Sequence, residues 1–265
     1  MLCWSIYKTT AASGAVEKVV ILPGSSEDQV YYHVRRTING ATKRYLERLA
    51  TEAESNGDTG ASWLMDCAVE KTLSDTGVAT GLGHLQGEKV VVWAAKDLSY
   101  DDTGGDQTTY TVASSVIQLG VADTGFGAIT AQIGLPYVPR TTGKEIDAEY
   151  KSTKLAYAAA AGTALTMPKR VDHLGVILGK THNNGLFYGK SLTVTDLQRL
   201  PRVIEGRTLN DTGADRDEIF SAQDLTPFEF PGDYDVDARL CLAAKAPRPC
   251  TLMAAIIGIS THDKI

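Results

Sequence analysis

The sequence has no long apolar run, no paired cysteine motif and no excess of positive charge, and each shortage removes a class of protein. Its most apolar stretches, residues 155–161 and 252–259, are far too short to span a bilayer, which takes about 20 residues, so no membrane partner is expected. The four cysteines, Cys3, Cys67, Cys241 and Cys250, form no C-x-x-C pair, and no histidine stands at zinc-finger spacing from them. Buried free thiols in a protein assembled in a reducing compartment are therefore expected. A Cys241–Cys250 bridge across a hairpin would need an oxidising compartment, and nothing else in the chain points to one. The opening Met1-Leu2-Cys3-Trp4-Ser5 lacks the basic and apolar regions of a signal peptide. Lys and Arg number 26 against 32 Asp and Glu, which gives a net charge of −6 and a pI near 5.4. A protein that grips nucleic acid by its phosphates would carry a basic face and usually a high pI, so that class is disfavoured. A wall that DNA merely slides past stays open, because few phosphate contacts would be an advantage there.

What the sequence does have is length and turns. Its 265 residues suit one large β domain or two to three small ones, and are enough to bury a core without disulfide or metal staples. Glycine, at 25 residues against 9 prolines, suits many short strands joined by turns. The charge is uneven along the chain. Residues 1–50 carry seven basic against four acidic side chains (+3), and residues 51–135 carry three against twelve (−9). Residues 136–200 carry nine against five (+4), and residues 201–265 seven against eleven (−4).

Strand signals run almost from end to end. Residues 16–22 are apolar and β-branched and stop at Pro23-Gly24. Residues 29–37 alternate in part and lead into Ile38-Asn39-Gly40, after which residues 41–49 alternate again. Asn-Gly favours the type I′ turn, whose two central residues need positive φ, so a β-hairpin centred on Asn39-Gly40 is expected. A surface helix over residues 41–53 is the competing reading, since Glu47 lies four residues after Lys43. The polar run over residues 52–60 is read as a connector. Short strand candidates follow at 63–69, 78–82, 89–94, 108–114, 116–120 and 128–134, the cadence of a barrel or sandwich. Residues 145–164 read either as an Ala-rich helix or as containing a strand over 150–158, and neighbouring strands favour the strand. Residues 170–178 are a clear strand, Thr181 to Gly185 a turn, and 186–188 a strand. Residues 191–230 read as loop-rich, and 238–244 and 250–260 as closing strands. The fold class expected is all-β with little helix. The organisation expected is a propeller-like β-hairpin segment over 1–52, a small β-barrel over 60–135, and a sandwich-like domain with long loops over 136–265.

The motifs that carry chemistry elsewhere are incomplete here. Gly81-Leu82-Gly83-His84-Leu85-Gln86-Gly87 misses G-x-G-x-x-G by one residue and leads into a strand, whereas a phosphate loop needs a helix N-terminus. A tight turn is expected instead. There is no G-x-x-x-x-G-K-[ST] and no G-x-S-x-G. The loop Asp101-Asp102-Thr103-Gly104-Gly105-Asp106 is rich in oxygen but lacks EF-hand spacing. Of the histidines His33, His84, His173, His182 and His262, two neighbour an aspartate, as Asp172-His173 and His262-Asp263. Adjacent strand residues point to opposite faces, so neither pair can act as base and orienter. Asp233, Asp235 and Asp237 would share a strand face, as paired carboxylates of a glycoside hydrolase must share a cleft. A solvated strand edge explains them more simply. No catalytic, cofactor-binding or metal-binding residue is therefore expected, and the chain is read as not an enzyme.

Several runs together resemble a family of proteins. The run from Asp28-Gln29-Val30-Tyr31-Tyr32-His33 through Asn39-Gly40 to Glu47-Arg48-Leu49 is similar to a segment of the tail-tube, nozzle or hub proteins of short-tailed bacteriophages. So are Gly81 to Glu88, Gly134-Leu135-Pro136-Tyr137, and Lys169-Arg170-Val171-Asp172-His173-Leu174-Gly175. Phe228-Glu229-Phe230-Pro231-Gly232, Arg239-Leu240-Cys241-Leu242, Ala246-Pro247-Arg248-Pro249 and Ile257-Gly258-Ile259 extend the resemblance over nearly the whole chain. The resemblance implies a virion structural protein, assembled in the host cytoplasm as a ring homo-oligomer such as a hexamer. It also implies contacts with neighbouring tail or portal-adaptor proteins and DNA passing without sequence recognition. It carries over no catalytic residue. Such proteins usually have a longer N-terminal propeller, and this chain begins within what looks like its last strands, so a fragment, a processed product or a shortened relative is implied. If DNA passes through such a ring, residues 51–135, with Asp101, Asp102 and Asp106, are the expected lining. A carbohydrate- or receptor-binding β module is the alternative, one that would display aromatics such as Trp4, Trp63 or Trp93. A tail-associated hydrolase using Asp233, Asp235 and Asp237 is a third reading.

Overall fold

The structure is a computed structural model, and it describes residues 14–55, 62–94, 96, 98–99, 109–119, 128–136, 148–156, 164–201, 203–204, 207–209, 218–244 and 247–262. The described residues are nearly all β, with one four-residue α-helix, and every strand pair is antiparallel. The chain divides into two compact units, Met1–Thr142 and Gly143–Ile265.

The first unit opens with a three-stranded sheet of β1 (Ala15–Leu22), β2 (Gln29–Ile38) and β3 (Ala41–Arg48), in the order β1-β2-β3. Asn39 and Gly40, at φ 50° and 72°, turn β2 back onto β3 as the Asn-Gly dipeptide requires. The helix reading of residues 41–53 fails over its first eight residues, which form β3. The alternation of β3 sets Tyr45 and Glu47 partly inward and leaves Leu46 at 72% exposure. A short helix, α1 (Glu52–Ser55), follows. Its start is fixed by a capping arrangement in which the Thr51 N–H and hydroxyl both donate to the Glu54 carboxylate, at 2.9 and 3.0 Å.

The rest of this unit comprises β4 (Asp66–Leu73), β5 (Val78–Thr80), β6 (Lys89–Trp93), β7 (Tyr110–Thr111), β8 (Val116–Gln118) and β9 (Ile129–Leu135). These form a four-stranded sheet, β4-β9-β6-β7, and a two-stranded one, β5-β8. Leu73, Leu82, Leu85, Val90, Val92, Ile117 and Ile133 form the core. Among the described residues the barrel expected in this region is not closed: β5 and β8 pair with each other, and β4 and β7 are the edge strands of the larger sheet. The result is sandwich-like. β6 is buried on both faces, which is why it reads as the continuous apolar run Val90-Val91-Val92-Trp93.

The second unit holds β10 (Ala148–Lys151), β11 (Lys169–His182), β12 (Leu186–Gly189), β13 (Leu197–Arg199), β14 (Val203–Ile204), β15 (Arg207–Thr208), β16 (Ile219–Glu229), β17 (Cys241–Ala244) and β18 (Thr251–Thr261). Its sheets run β10-β17-β12-β13, β16-β11-β18 and β14-β15. Leu174, Val176, Leu178, Tyr188, Phe220, Phe230 and Leu242 are central to its core. The helix reading of residues 145–164 gives way to strand at β10, and Ser152 and Leu155 continue the ladder by donating to the Leu240 and Ala238 carbonyls. Residues 157–163 lie outside the described part. The loop reading of 191–230 is corrected by β16, eleven residues long. Its Pro227 and scattered polar residues disguise it, and they are tolerated because β16 is an edge strand. β17 and β18 do not form a hairpin with each other; they belong to different sheets.

Candidate functional site

The first unit contains a cleft of about 730 Å³, and its lining includes Tyr32, Tyr45, Trp63, Met65, Cys67 and His84. Residues of β3 and of the start of β4, each an edge strand of its sheet among the described residues, contribute to its lining. The Trp63 backbone N–H donates to the Glu54 carbonyl at 2.8 Å. The Tyr45 hydroxyl donates to the His84 carbonyl at 3.2 Å.

Two of the lining residues, Glu47 and Asp66, belong to a buried ion cluster. Val34, Arg36 and Ile38 alternate inward on β2, so Arg36 is carried into the interior with no exposed surface. Its Nε and Nη2 each donate to Glu47 at 2.6 Å, and Nη2 also donates to Asp66 at 2.7 Å. Burial alone would pull the guanidinium pKa down, but the hydrogen bonds and charges of Glu47 and Asp66 outweigh it and hold the group above its ordinary value. Gly134 on β9 is what lets Asp66 come this close. A Cβ there would lie 2.9 Å from the Asp66 carbonyl and the Met65 side chain. The Asp66 carboxylate also accepts the Cys67 N–H at 3.1 Å, and Cys67 sits at φ 48° in the bulge between Asp66 and Val69. Burial pushes the Cys67 thiol up to about 12, so it is not a thiolate nucleophile at neutral pH. His84 is held below its ordinary value by burial and then by Lys71, which keeps it neutral.

The four arginines of the first hairpin are turned to carboxylates, while Lys43 is exposed and makes no ion pair among the described residues. Glu17 on β1 meets Arg44 at 2.9 Å, His33 at 3.2 Å and Arg35 at 3.7 Å, and Arg48 meets Glu54 at 2.7 Å.

The glycine-rich run is a structural turn. It contains a 3₁₀ turn over Gly83–Leu85 and receives the Ser114-Ser115 hairpin, whose Ser115 carbonyl accepts from the Leu82 N–H and whose Ser115 N–H donates to Gln86. The Asp101 to Asp106 loop lies outside the described residues. Asp233, Asp235 and Asp237 are all exposed, and they do not share a strand face. The chain there makes a single bridge at Asp235 to Lys169 and then a turn. Asp235 accepts the Asp237 N–H at 2.9 Å, and Asp237 pairs with Arg239 at 3.0 Å. Asp172 is engaged by Ser260 and Arg170, which hold its carboxyl low, while His173 is exposed. His182 is buried and accepts the Asn184 N–H at 3.0 Å, and His262 lies against Tyr234. Cys67, Cys241 and Cys250 are free thiols. Among the described residues no three metal-ligating side chains converge, and no helix is long and apolar enough to cross a membrane. The cleft and the buried ion cluster were not foreseen. Their one sequence signal was Arg36, charged at an inward position of an alternating strand.

Comparison with known proteins gives no match: no family model fits the chain and no curated protein aligns with it.

Proposed function

We propose that the chain is a structural subunit of a short-tailed phage tail, a nozzle or hub protein that lines a path for DNA without binding it. The observation that supports this reading best is the pairing of the arginines of the first hairpin. Of the residues that could have formed a phosphate-binding stripe, Arg35, Arg36, Arg44 and Arg48 are each paired with a carboxylate of the same unit, and Lys43 is left without one. A surface arranged this way offers few phosphate contacts, and so little salt-sensitive affinity to slow a passing duplex. The sequence runs that resemble those of tail proteins and the all-β fold support the same reading. Its partners would be further copies of itself in a ring and the adjoining tail or portal-adaptor proteins. Electron microscopy of virions labelled with an antibody against this chain tests it. The label is expected at the distal end of the tail, and particles that lack the chain would overturn the reading.

One observation favours a second reading, a carbohydrate-binding module. Tyr32, Tyr45 and Trp63 together line the cleft, and aromatic rings against a few polar groups are what a sugar requires. Quenching of Trp63 fluorescence across a glycan panel tests this. A saturable response to one glycan would favour it over the tail-wall reading.

A further inference from the structure

Most of the polar groups that line the cleft of the first unit are already engaged, and the few that are not define what it can hold. Glu47 accepts from Arg36 with both carboxylate oxygens, and Asp66 accepts from Arg36 and from the Cys67 N–H. Arg48 is joined to Glu54 at 2.7 Å. The Tyr45 hydroxyl donates to the His84 carbonyl at 3.2 Å, and the Ser55 hydroxyl to the Thr51 carbonyl at 2.9 Å. Two lining side chains stand apart. Neither the Trp63 indole N–H nor the His84 imidazole has a hydrogen-bond partner among the described residues, although both side chains are only partly exposed. Burial and Lys71 keep the imidazole uncharged, so it offers one donor and one acceptor, and the indole adds a second donor.

We propose that the cleft binds an uncharged saccharide, with Trp63 and His84 hydrogen-bonding its hydroxyls and the rings of Tyr32, Tyr45 and Trp63 packing on its C–H faces. A hydroxyl both donates and accepts, which matches this pair of side chains. Other ligand classes do not match. A phosphate, sulfate or carboxylate needs a free cation, and the lining cation, Arg48, is held by Glu54. An amine needs a free carboxylate, and the lining carboxylates, Glu47 and Asp66, both serve Arg36. A wholly apolar ligand would cover the indole N–H and the imidazole and leave them unsatisfied. The volume of about 730 Å³ lies within the range of about 300–1,000 Å³ usual for small-molecule sites. The glycine-rich turn thereby gains a role, since it presents His84 from its 3₁₀ turn and is tied to β3 by the Tyr45 hydroxyl. The inference rests on the carbohydrate-binding reading of this cleft and is independent of the tail-wall reading.

The test is isothermal titration calorimetry of the full chain with neutral disaccharides of glucose, galactose, mannose and N-acetylglucosamine. Disaccharides carrying glucuronate, sialic acid or unacetylated glucosamine are titrated alongside. At least one neutral sugar is expected to bind, and the charged ones to bind about tenfold more weakly or not at all. Trp63→Phe keeps a ring and removes the N–H, while His84→Leu keeps bulk and removes both polar atoms. Each is expected to weaken binding about fivefold, the scale of one neutral hydrogen bond. His84→Gln restores a donor and an acceptor and is expected to stay within about twofold of the wild type. The carbonyl of residue 84 is present in every variant, so a purely structural role for this turn would not separate Leu from Gln. Circular dichroism checks each fold, and if Trp63→Phe loses the native spectrum the His84 pair decides alone. A charged disaccharide that binds more tightly than every neutral one overturns the inference and leaves the carbohydrate reading standing. So does neutral-sugar binding that His84→Leu leaves unchanged. No binding by any disaccharide overturns the carbohydrate reading itself, and the inference falls with it.

Discussion

Arg36 and Asp66 are joined across the interior of the first unit, guanidinium Nη2 to carboxylate Oδ1 at 2.7 Å, with 0% and 4% of their side chains exposed. The pair ties the middle of the first hairpin to the head of β4, and Glu47 completes the neutralisation from β3. Removing one member of a buried ion cluster strands the others in a medium that solvates them poorly, which costs about 3–5 kcal/mol. Arg36→Met is therefore expected to lower the free energy of unfolding by that amount in urea titration. Replacing Glu47 and Asp66 with leucine in the same chain should recover part of the loss. A cost below about 1 kcal/mol for Arg36→Met would mean the cluster is open to water.

The Asn39-Gly40 turn carries a separate expectation. Both residues hold positive φ, so alanine at both positions places two Cβ atoms where L-residues are disfavoured and costs about 1–2 kcal/mol. Thermal unfolding of the double variant measures it, and an unchanged midpoint would count against a type I′ turn.

A second turn of this kind was not legible beforehand. Ser114 and Ser115 sit at φ 51° and 63°, and Ala113 and Val116 exchange both backbone hydrogen bonds at 2.9 Å around them. Serine has no preference for that region, so the geometry is imposed by the surrounding turn rather than by the dipeptide. Ser114→Asn with Ser115→Gly is expected to stabilise the protein by about 0.5–1 kcal/mol, as a rise in melting temperature.

This contrast marks how far the sequence could be read. The Asn39-Gly40 hairpin, β6 and β11 were legible because local preference and hydrophobic pattern agreed there. β16 was missed because an edge strand tolerates Pro227 and polar side chains that a central strand would not. The shared face of Asp233, Asp235 and Asp237 failed because period two has meaning only inside a strand, and the chain there makes one bridge and turns. The burial of Arg36 was not legible because its partners Glu47 and Asp66 lie 11 and 30 residues away, and that closeness is tertiary.

Acid should weaken one contact in a defined window. The Glu54 carboxyl is lowered from 4.5 to about 2, first by Arg48 and then by the Thr51 N–H. A carboxyl whose pKa falls on folding contributes stability above its unfolded value and loses it as the pH drops through its folded value. The contribution is thus complete above about pH 5 and gone near pH 2. The side chain is about one-third exposed, so solvent screening keeps its share to roughly 0.3–1 kcal/mol. Glu54→Gln should be less stable than the wild type by that amount at pH 7, and the two should converge by pH 2 in denaturant titrations.

The last expectation concerns DNA. With Arg35 and Arg44 held by Glu17 and Arg36 buried, the unmodified chain should show negligible affinity for duplex DNA at physiological salt. Glu17→Gln removes the shared carboxylate and leaves Arg35 and Arg44 as a cationic patch on neighbouring strands. Each cation that then engages a phosphate releases counterions, so log K should fall by about 0.9 per contact for each tenfold rise in salt. Two such contacts predict weak binding with a slope near −2, readable by fluorescence anisotropy with a labelled duplex. The same variant built into a phage would slow genome release if this face lines the exit path, and would leave release unchanged if it lies on the outer rim. Tight, salt-sensitive binding by the wild type would show that Glu17 does not neutralise the hairpin, and would remove the main support for a wall that lets DNA pass.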